Sequence, residues 1–131
     1  MGAMDDLIFV LSPDFVIKSI HVSDVSKILY DSSYLIGKKF PDIPFQSPAR
    51  EQIIDGLERV LGGEILVRVE YYLDMPNGTT WYDLSITIFS LGDGEVNLLG
   101  VARDITRQKE VEFELQAQKD MLSEAEVIAK L

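Results

Sequence analysis

Gly100-Val-Ala-Arg-Asp104-Ile-Thr106-Arg-Gln-Lys-Glu110 is where one periodicity stops and another begins. Upstream, Val96 to Ile105 is apolar and rich in β-branched residues, interrupted by Gly100 and Ala102, which suits a strand packed closely against a neighbour. Thr106 then offers the side-chain oxygen that a helix N-cap uses to accept an orphan backbone N–H. From Arg107 to Leu131 there is neither Gly nor Pro, and Glu, Gln, Lys, Ala, Leu and Met dominate, so helix propensity is high throughout. The stretch predicts a strand feeding directly into a helix, with a compact domain before it and a connector after it.

The predicted helix carries a further pattern. Val111, Leu115, Gln118, Leu122, Ala125 and Ala129 recur at alternating spacings of four and three, the seam of a coiled coil. The seam is short and contains a Gln, and a second stripe of Phe113, Ala117, Met121, Ile128 and Leu131 competes with it. Two arrangements stay open. Val111, Leu115, Leu122 and Ala125 pack on a partner helix in a homodimer, or the helix folds back onto its own domain.

Working back toward the N-terminus, Val96 is preceded by a turn at Gly92-Asp-Gly94-Glu95, and before that Thr79 to Leu91 alternates as a strand. Met75-Pro-Asn-Gly78 is a hairpin turn with a strong Asn-Gly signal, joined to an alternating strand over Glu64 to Asp74 with Ile65, Val67, Val69, Tyr71 and Leu73 on one face. Ser47-Pro48 opens a helix as N-cap and first-turn Pro, Ile53, Ile54, Leu57, Val60 and Leu61 give it an apolar face, and Gly62-Gly63 ends it. Tyr34 to Gly37 and Phe40 to Pro44 are one-turn pieces, and Ser23 caps a short helix over Asp24 to Tyr30. Leu7 to Leu11 and Phe15 to Val22 form a hairpin around Ser12-Pro-Asp14. The order β-β-α-α-α-β-β-β predicts an α+β architecture, a five-stranded antiparallel sheet covered on one face by small helices.

Composition narrows the function classes. The 131 residues fit one domain, and 47% hydrophobic content with a full set of aromatics argues against disorder. A formal net charge of −10 disfavours a nucleic-acid partner, because that affinity rests on Lys and Arg neutralising phosphates. The absence of cysteine removes disulfides, thiolate metal sites and cysteine nucleophiles, and it is compatible with a reducing cytoplasm, the expected location. No apolar run reaches the length of a membrane span, and no signal peptide is seen, so no membrane contact is expected.

Taken in this order and spacing, Asn77-Gly78 before Thr80-Trp-Tyr-Asp-Leu-Ser85, Gly92-Asp-Gly94-Glu-Val96, and Gly100-Val-Ala-Arg-Asp104-Ile-Thr106-Arg-Gln-Lys resemble a PAS domain of the sensory-box type. The likeness runs from Leu7 to Thr106. Asp104-Ile-Thr106 looks like the triplet with which many PAS domains hand over to a signalling helix, and Leu122 to Leu131 resembles a helix leading into another PAS domain of a sensor histidine kinase. The resemblance divides the chain into residues 1–6, an N-terminal extension or expression remnant; 7–106, the PAS domain; and 107–131, a linker helix toward a downstream domain of the same parent chain. It implies a sensory or relay module without catalytic residues of its own, with a ligand-free structural dimerisation domain as the alternative. Asp104 and Thr106 become the transmission residues, setting the angle of the outgoing helix.

The strand Thr79 to Leu91 holds the candidate pocket, and its two faces give opposite readings. Alternation puts the apolar Tyr82, Leu84, Ile86 and Ile88 on the core and Trp81, Asp83, Ser85, Thr87 and Phe89 toward water. Resemblance to flavin-binding PAS domains implies the reverse, with Trp81, Asp83 and Ser85 facing a polar cavity opposite Ile53 and Leu57, Tyr71 among the pocket residues, and Gly100 and Ala102 leaving space. A cofactor is not expected on balance; a non-covalent flavin or another small molecule is the ligand the resemblance would admit. Haem is disfavoured, because haem-binding PAS domains take their axial His from the helical side and His21 is on a strand. Ser23, His21 and Asp24 are sequence neighbours, which does not make a triad, and no loop has the carboxylate count of a metal site.

Overall fold

The computed structural model describes residues 7–22, 28, 30–90 and 94–130, with side chains as far as Ser123 in the last helix. Its strands are β1 (Leu7–Leu11), β2 (Ile17–Val22), β3 (Leu66–Met75), β4 (Gly78–Ser90) and β5 (Val96–Asp104). Helix α1 (Ser32–Leu35) and a 3₁₀ turn (Phe40–Asp42) are short, α2 spans Ala49–Leu61, and α3 runs over Thr106–Lys130. The five strands form one antiparallel sheet in the order β2-β1-β5-β4-β3, with α2 lying on β3 and β4. The helix expected over Asp24 to Tyr30, with its Ser23 cap, falls largely outside the described residues, as does the turn around Gly92.

Alternation decides which face is inside. On β4, Tyr82, Leu84 and Ile86 are buried; on β3, Val67, Tyr71, Leu73 and Met75 are buried, while Ile65 before the strand is exposed. Ladder partners agree across the sheet, Ile86 opposite Gly100 and Leu84 opposite Ala102, so β5 turns Leu98, Gly100 and Ala102 to the same side. Helix α2 closes that side with Ile53, Leu57 and Val60. Gly56 makes the approach possible: a β-carbon there would sit 2.8 Å from Val69 Cγ2 and 3.0 Å from Ile86 Cδ1.

Two local expectations are corrected, and a third, the Met75–Gly78 hairpin turn, holds with its turn type made explicit. Ser47 is not the N-cap of α2; Pro48, after a cis Ser47–Pro48 bond, holds that position, and the Ser47 hydroxyl donates to Glu51 Oε2 at 3.0 Å. The β3–β4 hairpin turns on Pro76 and Asn77, with Met75 opposite Gly78. The fixed φ of proline excludes the mirror-image turn that Asn-Gly favours, and Gly78 instead takes φ +117° as the first residue of β4. The other correction concerns Thr106 and belongs to the site below. Edge strand β3 is guarded at Asp74, whose backbone N–H donates to Gln46 Oε1 at 2.7 Å and whose carbonyl accepts from Gln46 Nε2 at 2.9 Å.

Candidate functional site

Two features stand out: a cavity on the helical side of the sheet, and a hydrogen-bonded joint where α3 leaves it. The cavity is about 70 Å³ and lies between the strands and the small helices, with Phe9 and Leu11 from β1, Ile43 and Phe45 from the turn region, Ile53 from α2, and Tyr71 and Tyr82 from β3 and β4 among its lining. Tyr71 and Tyr82 are ladder partners whose rings stack with centroids 5.3 Å apart. No charged side chain among the described residues lines it. Burial pushes the Tyr71 hydroxyl far above the usual phenol range, with a smaller contribution from Tyr82.

Of the residues named from sequence, Tyr71 and Ile53 line this cavity, and Leu57 and Ala102 are buried in the core beside it. Trp81, Asp83 and Ser85 are on the other face of the sheet, which reverses the orientation taken from flavin-binding relatives. The physical reason is plain: turning β4 over would bury a carboxylate against apolar residues and expose Tyr82, Leu84 and Ile86. Gly100 leaves no space either, because the ring of Phe9, its ladder partner, lies across it. Nor does the cavity fit the larger cofactors. An apolar cavity of ~150 Å³ holds a single benzene ring, so about 70 Å³ takes neither a three-ring flavin nor a porphyrin. Phe9 and Ile43 were not legible as lining residues, whereas Tyr82 follows from alternation.

The outer face carries the joint. Trp81 stands between Tyr72, with ring centroids 5.2 Å apart, and Phe113 of α3, at 6.0 Å in an edge contact. Lys109 of α3 reaches over the same indole at 5.2 Å and bonds Glu70 Oε1 at 2.6 Å, a contact that raises its pKa. This answers a repulsion built into the ladder, where Glu70 is directly opposite Asp83 and Asp83 is in turn opposite Arg103.

At the foot of α3 the backbone C=O and N–H of Trp81 are both engaged by the residues that follow β5. Its carbonyl accepts from Ile105 N at 2.9 Å, and its N–H donates to Thr106 Oγ1 at 3.0 Å. That hydroxyl donates in turn to Asp104 Oδ1 at 2.6 Å, which also accepts from Thr106 N at 2.9 Å. Thr106 is therefore not the cap it resembles in sequence. Asp104 takes the first helical N–H, and the Thr106 hydroxyl reaches back to a different strand. Strand β4 and the start of α3 therefore share one chain of hydrogen bonds.

Beyond the joint, Val111, Leu115 and Leu122 are exposed on α3, as are Phe113 and Met121; Ala125 lies past the described side chains. His21 pairs with Ile8 and is exposed, while Ser23 and Asp24 are outside the described residues. Among the described residues no group of three metal-ligating side chains occurs, and no helix is long and apolar enough to cross a membrane.

Known proteins point the same way as the geometry. A family model described as the PAS fold matches residues 2–110. Among solved structures, a domain of a sensory box sensor histidine kinase/response regulator from Geobacter sulfurreducens is 25% identical, with a TM-score of 0.52 and coverage of 76% of this chain and 82% of that one. A sensory box sensor histidine kinase from Vibrio cholerae is 12% identical, with a TM-score of 0.58 over 77% and 82% of the two chains. The PAS domain of the Cronobacter turicensis quorum-sensing receptor RpfR, in complex with BDSF, is 17% identical, with a TM-score of 0.59 over 78% and 95%. No curated protein matches the sequence.

Proposed function

This chain belongs to the PAS fold family, and from that premise we propose that it is a sensory or relay module of a signal-transduction protein of the sensor histidine kinase kind. PAS domains are in general non-catalytic sensory modules, so the output is mechanical. A change in the packing of the cavity shifts β4 against its neighbours, and the joint at Asp104-Ile105-Thr106 carries that shift into α3. The observation that carries this reading is the hydroxyl of Thr106, which holds the Trp81 N–H of β4 while its own proton is held by Asp104 at the helix start. A two-state element that both ends can bias is what transmission requires.

The readout is a pair of helices. Val111, Leu115 and Leu122 are exposed on α3, which supports a homodimer in which α3 and its mate form the linker, residues 107–131, into a downstream domain. In that assignment residues 7–106 are the sensing unit. The small size of the cavity favours a second reading, a structural dimerisation domain that needs no ligand.

A chimera with α3 fused in heptad register to a histidine kinase core separates the two. In a transmitting module Asp104→Ala and Thr106→Ala change basal autophosphorylation while the domain stays folded and dimeric. Unchanged activity from both variants refutes transmission and leaves the structural reading.

A further inference from the structure

The Tyr71 hydroxyl is a polar atom that the described residues leave unanswered. Its side chain lines the cavity and is 3% exposed. Its ring is engaged with Tyr82, yet its oxygen makes no hydrogen bond among the described residues. Tyr30, also on the lining, differs: its hydroxyl donates to the Pro44 carbonyl at 2.8 Å. A buried hydroxyl without a partner is costly, and a molecule that brings an acceptor to it recovers that cost on binding.

From this donor and the walls around it we propose that the cavity takes a compact, uncharged, mainly apolar molecule of a few heavy atoms, with one carbonyl or ether oxygen accepting from Tyr71 Oη. The assignment rests on the sensing reading and names the ligand class for it. Each property follows from something in the site. Size is set by the 70 Å³ volume. Neutrality follows because none of the described lining side chains is charged, so an ion would lose its hydration without compensation. An acceptor is called for because burial keeps the phenol protonated, leaving a proton to donate. Ligand entry would press on Tyr82 and Ile53 together, and Tyr82 is the residue after Trp81, whose backbone holds the joint.

Three Y-shaped probes of nearly the same size test this: acetone, isobutene and acetate, titrated into the ¹⁵N-labelled 131-residue chain and into Tyr71→Phe. Tyr71→Phe is expected to weaken acetone binding about tenfold, the worth of a bond to an otherwise unpaired donor, and to leave isobutene binding unchanged. Acetate should bind worst to both. Equal loss of acetone and isobutene, or acetate binding best, overturns the ligand class while the cavity remains a binding site. No shift of cavity resonances with any probe overturns the cavity as a sensor and leaves the joint to be judged by the chimera. Stability of the ligand-free variant gives a separate check: Tyr71→Phe should melt no lower than wild type, and a clear drop would mean that the hydroxyl already has a partner.

Discussion

Thr106→Val deletes one hydroxyl and keeps the shape of the side chain, so it isolates the joint. Two bonds go with it, the 3.0 Å bond from Trp81 N–H and the 2.6 Å bond to the Asp104 carboxylate. The first leaves a part-buried backbone donor of β4 without its acceptor, at about 1–2 kcal/mol. The second is a bond to a charged acceptor that is partly open to water and retains Thr106 N–H, so its loss adds about 1 kcal/mol. The sum of about 2–3 kcal/mol is a large share of the 5–15 kcal/mol typical of a domain, yet it leaves the domain folded. Urea denaturation followed by the emission of Trp81, the single tryptophan, should show the midpoint falling by about 1 M with an unchanged slope. Thr106→Ser, which keeps the hydroxyl, should recover most of the difference. If Thr106→Val and Thr106→Ser both fall within about 0.5 kcal/mol of wild type, the size expected of ordinary surface substitutions, water replaces the hydroxyl and the joint is not held as described.

Further outcomes follow from the same geometry. Phe113→Ala removes the edge contact on Trp81 and should shift its emission to the red without unfolding the sheet; unchanged emission would mean that α3 does not dock there. Gly100→Ala drives a β-carbon to 2.6 Å from Phe9 Cζ and should cost about 1–3 kcal/mol by thermal melting, whereas a neutral result would show the ring free to move. Acid should destabilise the fold in a defined window. Asp31, Glu51 and Glu64 are held below their ordinary values of 3.8, 4.5 and 4.5 by hydrogen bonds from Ser33, Ser47 and Arg59 respectively, so the stability they add is fully present above those values and lost as pH falls through the lowered ones. Melting points should be flat from neutral pH to about 5 and fall below it, and Glu64→Gln should make that fall shallower.

Period-2 alternation was enough to orient β3 and β4, because one face of each must meet the core and only one set of residues, such as Tyr82, Leu84 and Ile86, can be buried without cost. The helix after Asp104 was equally legible from its composition, and so was the apolar face of α2. Likeness to flavin-binding domains misled at Trp81, Asp83 and Ser85, since an alignment position says which strand a residue is on but not whether this chain has polar partners to receive it inside. The inside of this sheet offers Phe9 over Gly100, two stacked tyrosines and, among the described lining residues, no cation to balance a buried carboxylate. Capping failed for a different reason. Whether the Thr106 oxygen meets its own helix or Trp81 depends on how α3 crosses β4, a tertiary angle that local sequence does not encode. The same holds for Ser47, whose hydroxyl turned to Glu51. The lining residues Phe9 and Ile43 come together from distant parts of the chain, and neither carries a local mark.

Coupling between cavity and helix is best measured as a cycle in the kinase chimera. Ile53→Phe enlarges a lining side chain and stands in for a bound ligand, and Thr106→Val opens the joint. The account predicts that Ile53→Phe changes autophosphorylation when Thr106 is present and has little effect in the Thr106→Val background, with dimerisation and folding retained in all four proteins. The same change in both backgrounds would show that the signal, if any, bypasses the joint between Trp81 and Asp104-Ile105-Thr106.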